Sequence, residues 1–546
     1  MRPISLAVLV GLALVQAPPS PRPAPAADTV LAGAWAGGTN GTGTWRFAEV
    51  SIEAGPGGLS GSLAVPGENA AGLALHDIRV AGDSVRFAVW TPLGTLDFRG
   101  TLREDELRGT LSGAAPGATL HLVRLADPPA AQADAAVGDY DAGGGRTLLL
   151  TYRAHGELTA VLLARTAGGG EAIERAFYAL PIEPDRYLTS GSVVRALSRD
   201  ETLSLERDAG GRVTGVKLES PGAGPRMASR VPGAAQRTAH IRGEAGRITG
   251  TLFLPAGPGP HPAVALVSGS GPAGRDEIVL RAREFARLGV AALTWDKRGV
   301  GDTDGDYFAM TFDDQAADAD SALAWLRARP EVDGARTGMS GHSQGGWIVP
   351  LAAARAAAPP AWIVITSAGP ETPRAQEVWR ARAQSLAAGL DSAQADAAAA
   401  FMRRKWTYAY TGRDWDGYLA AALRARQAPW GGLVAPMFVP DSLAWTFMRS
   451  LRDFDPMAAP SRLRVPTLVV LGDRDDEEPW KRSRALWEEA FRAAGNRDGR
   501  IVVLPGAAHS LWFGRGSPRP LDPAPTEAIG RWLTGLGVIR PAPSSG

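Results

Sequence analysis

The feature that most constrains this chain is a change of pattern near Thr238. Beyond it, short apolar runs of strand length alternate with stretches whose apolar residues recur at helical spacing. Ala263 to Val267 is the first such run; Ile278, Ala282 and Phe285 follow at helical spacing, and Val290 to Trp295 reads as strand again. Phe312, Ala316, Ala319, Leu323 and Leu326 then mark one face of a longer helix. Trp362 to Thr366, Thr467 to Leu471 and Ile501 to Leu504 are further apolar runs. Strands that are apolar throughout are buried on both faces, and their alternation with helices builds a largely parallel sheet with helices on either side. The expected fold class over 238–540 is α/β.

The residues before it follow another rule. Val85 to Trp90 and Thr119 to Val123, then Arg146 to Tyr152, Leu158 to Leu163 and Val213 to Leu218, are rich in β-formers and separated by Gly, Asn and Asp turns. Two small all-β modules are expected, 28–127 and 137–230, as antiparallel barrels or sandwiches without a periodic sequence repeat between them. Asp127 to Ala136, rich in Pro, Ala and Asp, reads as a linker. At the start, Arg2, the apolar run Ile4 to Val15 and the small residues Ala24 and Ala26 before Ala27 have the layout of a secretory signal over 1–27, with Ala17 as an alternative cleavage point. The protein is therefore expected to be secreted or periplasmic.

Composition removes whole classes of function. With no cysteine there is no disulfide scaffold, thiolate zinc site, cysteine nucleophile or lipoprotein anchor. A net charge of +1 excludes a dominant basic surface, so nucleic acid is not the expected partner. No later run reaches the ~18 apolar residues of a membrane span, so no stable membrane insertion is expected. His76, His121 and His155 lack metal-ligand spacing, and neither metal nor cofactor is expected.

The chemistry-bearing residues lie in the α/β part. Gly341-His342-Ser343-Gln344-Gly345 is a G-x-S-x-G element between a short strand and a helical stretch. In that setting the serine occupies a strained turn that exposes its hydroxyl, and Gly341 and Gly345 let the backbone pack closely. A serine needs a base to act as nucleophile. The chain has 7 histidines, and His509 is the one that follows the elbow, in a loop after the run Ile501 to Leu504. The loop after Thr467 to Leu471 offers five carboxylates in Asp473-Arg474-Asp475-Asp476-Glu477-Glu478 to orient that histidine. For an oxyanion hole, the N–H of Gln344 is one donor; the Gly-rich loop Ser268 to Pro272 supplies the other, Ser270 first and Gly269 second.

Five strings, LVSGSGP, TWDKRGVGDTDG, SGHSQGG, VPTLVVLGDRDDEEP and LPGAAHSLW, occur in this order and together resemble the α/β-hydrolase superfamily, in its serine aminopeptidase-like and esterase branch. The resemblance extends to bacterial esterases, cinnamoyl and acetyl esterases among them, in which a β-rich region precedes the catalytic domain. It implies an α/β-hydrolase fold with a helical cap, here about 371–459, and a Ser343, His509, Asp475 triad. The G-x-x-D spacing of the family selects Asp475. Crowding of acids at Asp475 to Glu478, where the family has an apolar residue before the proline, keeps Asp473 and Asp476 as alternatives. Asp296 to Gly301 matches a family turn and reads as structural. Trp379, Trp406, Trp415, Trp430 and Trp445 either line an aromatic acyl pocket or, for the most part, pack the cap's own core. The expected function is a serine esterase acting on a small-molecule ester through an acyl-enzyme. A short-peptide peptidase of the same fold and a binding protein with a degenerate triad are the alternatives. The sequence carries no reading of oligomeric state.

Overall fold

The computed structural model describes residues 30–40, 46–65, 70–91, 94–113, 116–127, 130–192, 195–437, 443–514 and 518–540; the expected signal segment, 1–27, lies outside them. Eight strands from Gly33–Thr39 to Thr119–Arg124 each pair antiparallel with the next, and the first pairs with the last to close a barrel. Period-2 burial makes this possible: on Arg46–Gly55, Ala48, Val50 and Ile52 turn inward while Ser51 and Glu53 stay exposed. Closure leaves no sheet edge for another chain to extend.

Residues 138–231 repeat the same architecture. Eight strands from Gly138–Asp141 to Arg226–Val231 form a second meander, closed by the pairing of those two strands around Tyr140, Leu148, Leu150, Phe177 and Tyr187. One topology thus occurs twice without a visible repeat, because a barrel interior asks only for apolar alternation and turns. The linker expectation is corrected in part. Ala130–Ala136 is a short helix whose Ala133 and Ala136 are fully buried against the second barrel, and the Tyr140 hydroxyl donates to the Ala136 carbonyl at 2.5 Å. Alanine supplies helix propensity as readily as linker composition.

The α/β part holds an eight-stranded sheet in the order Ala235–Gly243, Gly246–Leu254, Ala291–Trp295, His261–Val267, Val332–His342, Ile363–Thr366, Thr467–Gly472, Gly499–Leu504. The first three strands pair antiparallel and the rest parallel. Strand His261–Val267 shows why its sequence is apolar throughout: Ala263, Ala265 and Val267 pack under one helical layer, Val264 and Leu266 under the other. Helix Phe312–Arg327 starts at a capping box between Thr311 and Asp314.

Between Ile363–Thr366 and Thr467–Gly472 an insertion carries helices Pro373–Ala387, Ser392–Thr411, Trp415–Gln427 and Leu443–Ser450. Its rings pack mainly on each other: Tyr408 lies 4.8 Å from Trp445 and 5.2 Å from Tyr418 between centroids. The second barrel docks on the α/β part through Leu149, Val161 and Leu163 against Val279, Ala282 and Phe285. Arg519–Pro520, in the loop region after His509, also pairs with barrel strand Glu171–Glu183.

Candidate active site

Strand Val332–His342 ends directly at the elbow, and helix Gly345–Arg355 begins two residues beyond Ser343. Ser343 has φ +52, a left-handed conformation that an L-residue adopts only where its surroundings impose it. The glycines permit the turn. A Cβ on Gly341 would lie 2.2 Å from the Gly345 carbonyl oxygen, and one on Gly345 would lie 2.6 Å from that of Val267. Ser343 itself remains half-buried rather than sealed.

His509 and Asp475 meet across the ends of the last two strands. His509 Nδ1 is 3.0 Å from Asp475 Oδ1 and 2.9 Å from Oδ2. The Asp475 carboxylate is fully buried and also accepts the N–H groups of Glu477 and Glu478, which fix its plane. Asp473 is turned elsewhere, accepting the Gly506 N–H at 2.6 Å. Burial pushes the His509 imidazole down, but the hydrogen bond and charge of Asp475, with Glu477 and Glu478 adding to it, hold it above its ordinary value. The ring of His342, which precedes Ser343, lies 5.1 Å from that of His509. His342 is held well below its usual pKa by burial, then by the charges of Arg281 and His509, so it is neutral.

The loop Ser268 to Pro272 passes beside the elbow: a Cβ on Gly269 would stand 3.6 Å from Cβ of Ser343. The N–H of Gly271 is used, donating to the Tyr307 hydroxyl at 3.1 Å. Those of Gly269, Ser270 and Gln344 donate to no other group among the described residues.

Sequence reasoning missed several groups that hold this arrangement. The buried Lys297 ammonium donates to the carbonyls of Gly269 (2.5 Å) and Gly271 (3.1 Å) and to Gln344 Oε1 (3.1 Å). It ties the Gly-rich loop to the residue after Ser343, so the turn Asp296 to Gly301, read as structural, reaches the site. Its signal was a lysine just after the apolar strand Ala291–Trp295, in the turn Asp296-Lys297-Arg298-Gly299-Val300-Gly301. Ser367, with φ +50, donates to the His509 carbonyl at 2.6 Å. Buried Glu478 is pushed up to about 8 by desolvation, with Asp475 adding to the rise, and accepts from Ser483 at 2.5 Å. Ser367 had no sequence signal, and Glu478, one of the five carboxylates of the acidic loop, had none for this role, since both depend on who their neighbours are in space. No cluster of three or more potential metal ligands occurs among the described residues.

A cleft of about 1140 Å³ opens beside Ser270 and Gly271. Tyr307, Phe308, Phe447 and Phe513 line it, together with Glu49 of the first barrel and Arg153, Glu157 and Tyr178 of the second; it adjoins the elbow through the Gly-rich loop, and Ser343 and His509 are not themselves among its lining residues. Of the insertion's large rings, Phe447 reaches this cleft, while Trp406 and Trp445 stay buried in the insertion.

Residues 235–515, just over half of the chain, match the family model described as X-Pro dipeptidyl-peptidase (S15 family). Esterase EstD of Thermotoga maritima is 24% identical over 303 residues, covering 52% of this chain and 65% of that protein's length. Est1E from Butyrivibrio proteoclasticus is 17% identical, covering 55% of this chain and 98% of its own, at a TM-score of 0.35. The butyrate-bound esterase Est2 of Thermogutta terrifontis is 20% identical, covering 57% and 97%, also at 0.35. The chain belongs to the X-Pro dipeptidyl-peptidase (S15) family, within the α/β-hydrolase superfamily.

Proposed function

We propose that the protein is an exported carboxylic ester hydrolase working through Ser343, His509 and Asp475. The observation that carries the reading is the two-oxygen contact of Asp475 with His509 Nδ1, with the His509 ring 5.1 Å from that of His342, the residue before a serine held at φ +52. With Nδ1 engaged, Nε2 is the nitrogen left to take the Ser343 proton as Oγ attacks the ester carbonyl. The oxyanion then develops between the free N–H groups of Gln344 and Ser270, with Gly269 as second choice. Collapse of this intermediate expels the alcohol, which takes the proton from His509. Water, activated by the same imidazole, releases the acid from the acyl-enzyme. The helical insertion acts as a cap whose Phe447 closes the acyl side, and residues 1–27 direct export. EstD, called an esterase, favours esters; the family's own description favours a second reading, an exopeptidase acting on short peptides.

The test is turnover of nitrophenyl esters of graded chain length beside X-Pro nitroanilides, with Ser343→Ala as control. Ester turnover that vanishes in Ser343→Ala is expected. Equal activity in both proteins overturns the nucleophile, and turnover of anilides alone moves the enzyme to the peptidases.

A further inference from the structure

Helix Val279–Arg287 carries three arginines, which the fold treats differently. Arg283 pairs with Asp139 (3.1 Å) and Glu171 (3.3 Å), and Arg287 with Glu171 and Glu284 (2.8 Å each). Arg281 makes no hydrogen bond or ion pair among the described residues. Its guanidinium lies over Trp512, 5.6 Å from the ring centroid, just beyond His509 in the chain. It lines the cleft that also exposes Ser270 and Gly271. The other arginine lining that cleft, Arg153, is paired with both Glu49 and Glu157.

The surroundings of Arg281 do not offset its charge. Glu277 is the acid whose field reaches it, and Glu277 shares that field with Lys297. Desolvation by its neighbours pushes the guanidinium down to about 10, while the side chain stays partly exposed and has no carboxylate in contact. Its charge also reaches His342, next to Ser343, so it stands within the electrostatic range of the reacting centre. A planar guanidinium fork matches the two oxygens of a carboxylate. The nearby Glu277 disfavours a dianion such as a phosphate monoester.

We propose that Arg281 is the anion-binding group of the substrate cleft, and that the preferred substrates are esters carrying a carboxylate. The proposal rests on the ester-hydrolase reading and narrows its substrate class. The carboxylate belongs either to the acyl chain or to the leaving alcohol, and paired substrates tell the two apart. One pair is the mono-nitrophenyl ester of suberate against nitrophenyl octanoate; the other is 4-acetoxybenzoate against phenyl acetate.

The expected result is a higher kcat/KM for the carboxylated member of at least one pair. In Arg281→Gln that preference falls by about tenfold or more, mainly through KM, as expected for loss of a charge-assisted contact. Arg281→Lys should keep part of it, since the charge survives without the fork. A wild-type enzyme with no preference in either pair overturns the proposal, as does an equal loss on both members in Arg281→Gln. Should no ester be turned over, the ester reading fails. Calorimetric titration with suberate and with benzoate then decides Arg281 separately: binding that Arg281→Gln weakens supports the site, and equal or absent binding overturns it.

Discussion

In the proposed mechanism Asp475 and Lys297 act from opposite sides, one through the base and one through the oxyanion loop. Asp475→Asn keeps the shape but removes the charge that holds His509 in the useful tautomer, and should lower kcat by about 10³–10⁴. The pH dependence should move with it. His509 must be neutral to accept the serine proton, and its raised pKa places the acid limb of kcat/KM above the ~6.5 of a free imidazole. Asp475→Asn should shift that limb downward, which a pH–rate profile reads directly. Lys297 is pushed down to about 8 by burial, against the opposing pull of Glu277. Above that pH it loses charge and one donor, and its hold on Gly269, Gly271 and Gln344 weakens. Lys297→Met should lower kcat on the order of tenfold to a hundredfold with little change in KM, and should erase an alkaline limb near 8. The strain at Ser343 has its own signature: Ser343→Gly should be more stable than Ser343→Ala by about 1 kcal/mol in urea unfolding, because glycine accepts φ +52 freely.

At the scale of elements, the elbow works because strand, turn and helix pack too closely for side chains. Gly341 is the tightest point, with the Gly345 carbonyl 2.2 Å from where a Cβ would sit. The obstacle is backbone, which cannot rotate away, so Gly341→Ala should cost about 2 kcal/mol or more and lower the thermal midpoint. The apolar strands were legible for a simple physical reason: a strand buried on both faces has nowhere to put a polar residue, as Ala263 to Val267 shows. The helix Ala130–Ala136 was not legible, because seven residues of mostly alanine make a helix only when something covers one face. Here the second barrel covers it.

Across the whole molecule, both barrels form part of the wall of the cleft beside Ser270 and Gly271. Arg283, nearly buried, joins barrel residues Asp139 and Glu171 to the helix that carries Arg281. Arg283→Met leaves the Asp139 carboxylate at the joint without its arginine and Glu171 with Arg287 alone, a loss of about 3–5 kcal/mol where such pairs are buried. Hydrogen exchange should then quicken around 171–176 and 519–521, where the barrel strand and the loop after His509 pair. Exchange unchanged there would show that the apolar contacts of Leu149, Val161 and Leu163 hold the joint alone.

The α/β class, the two β-rich stretches, the elbow at Ser343 and the choice of His509 could be read from residue order alone, because each rests on local spacing or on a residue type too scarce to leave a choice. Residue order placed Asp475 first but kept Asp473 and Asp476 open, since residues so close in sequence differ only in where their side chains point. Tertiary structure directed Asp475 at His509 and Asp473 at Gly506. It also decided that Lys297 belongs to the site, that one barrel topology occurs twice, and that Arg281 lacks the carboxylate its helix neighbours have. All of these depend on contacts between residues far apart in the chain, and local pattern does not encode such contacts.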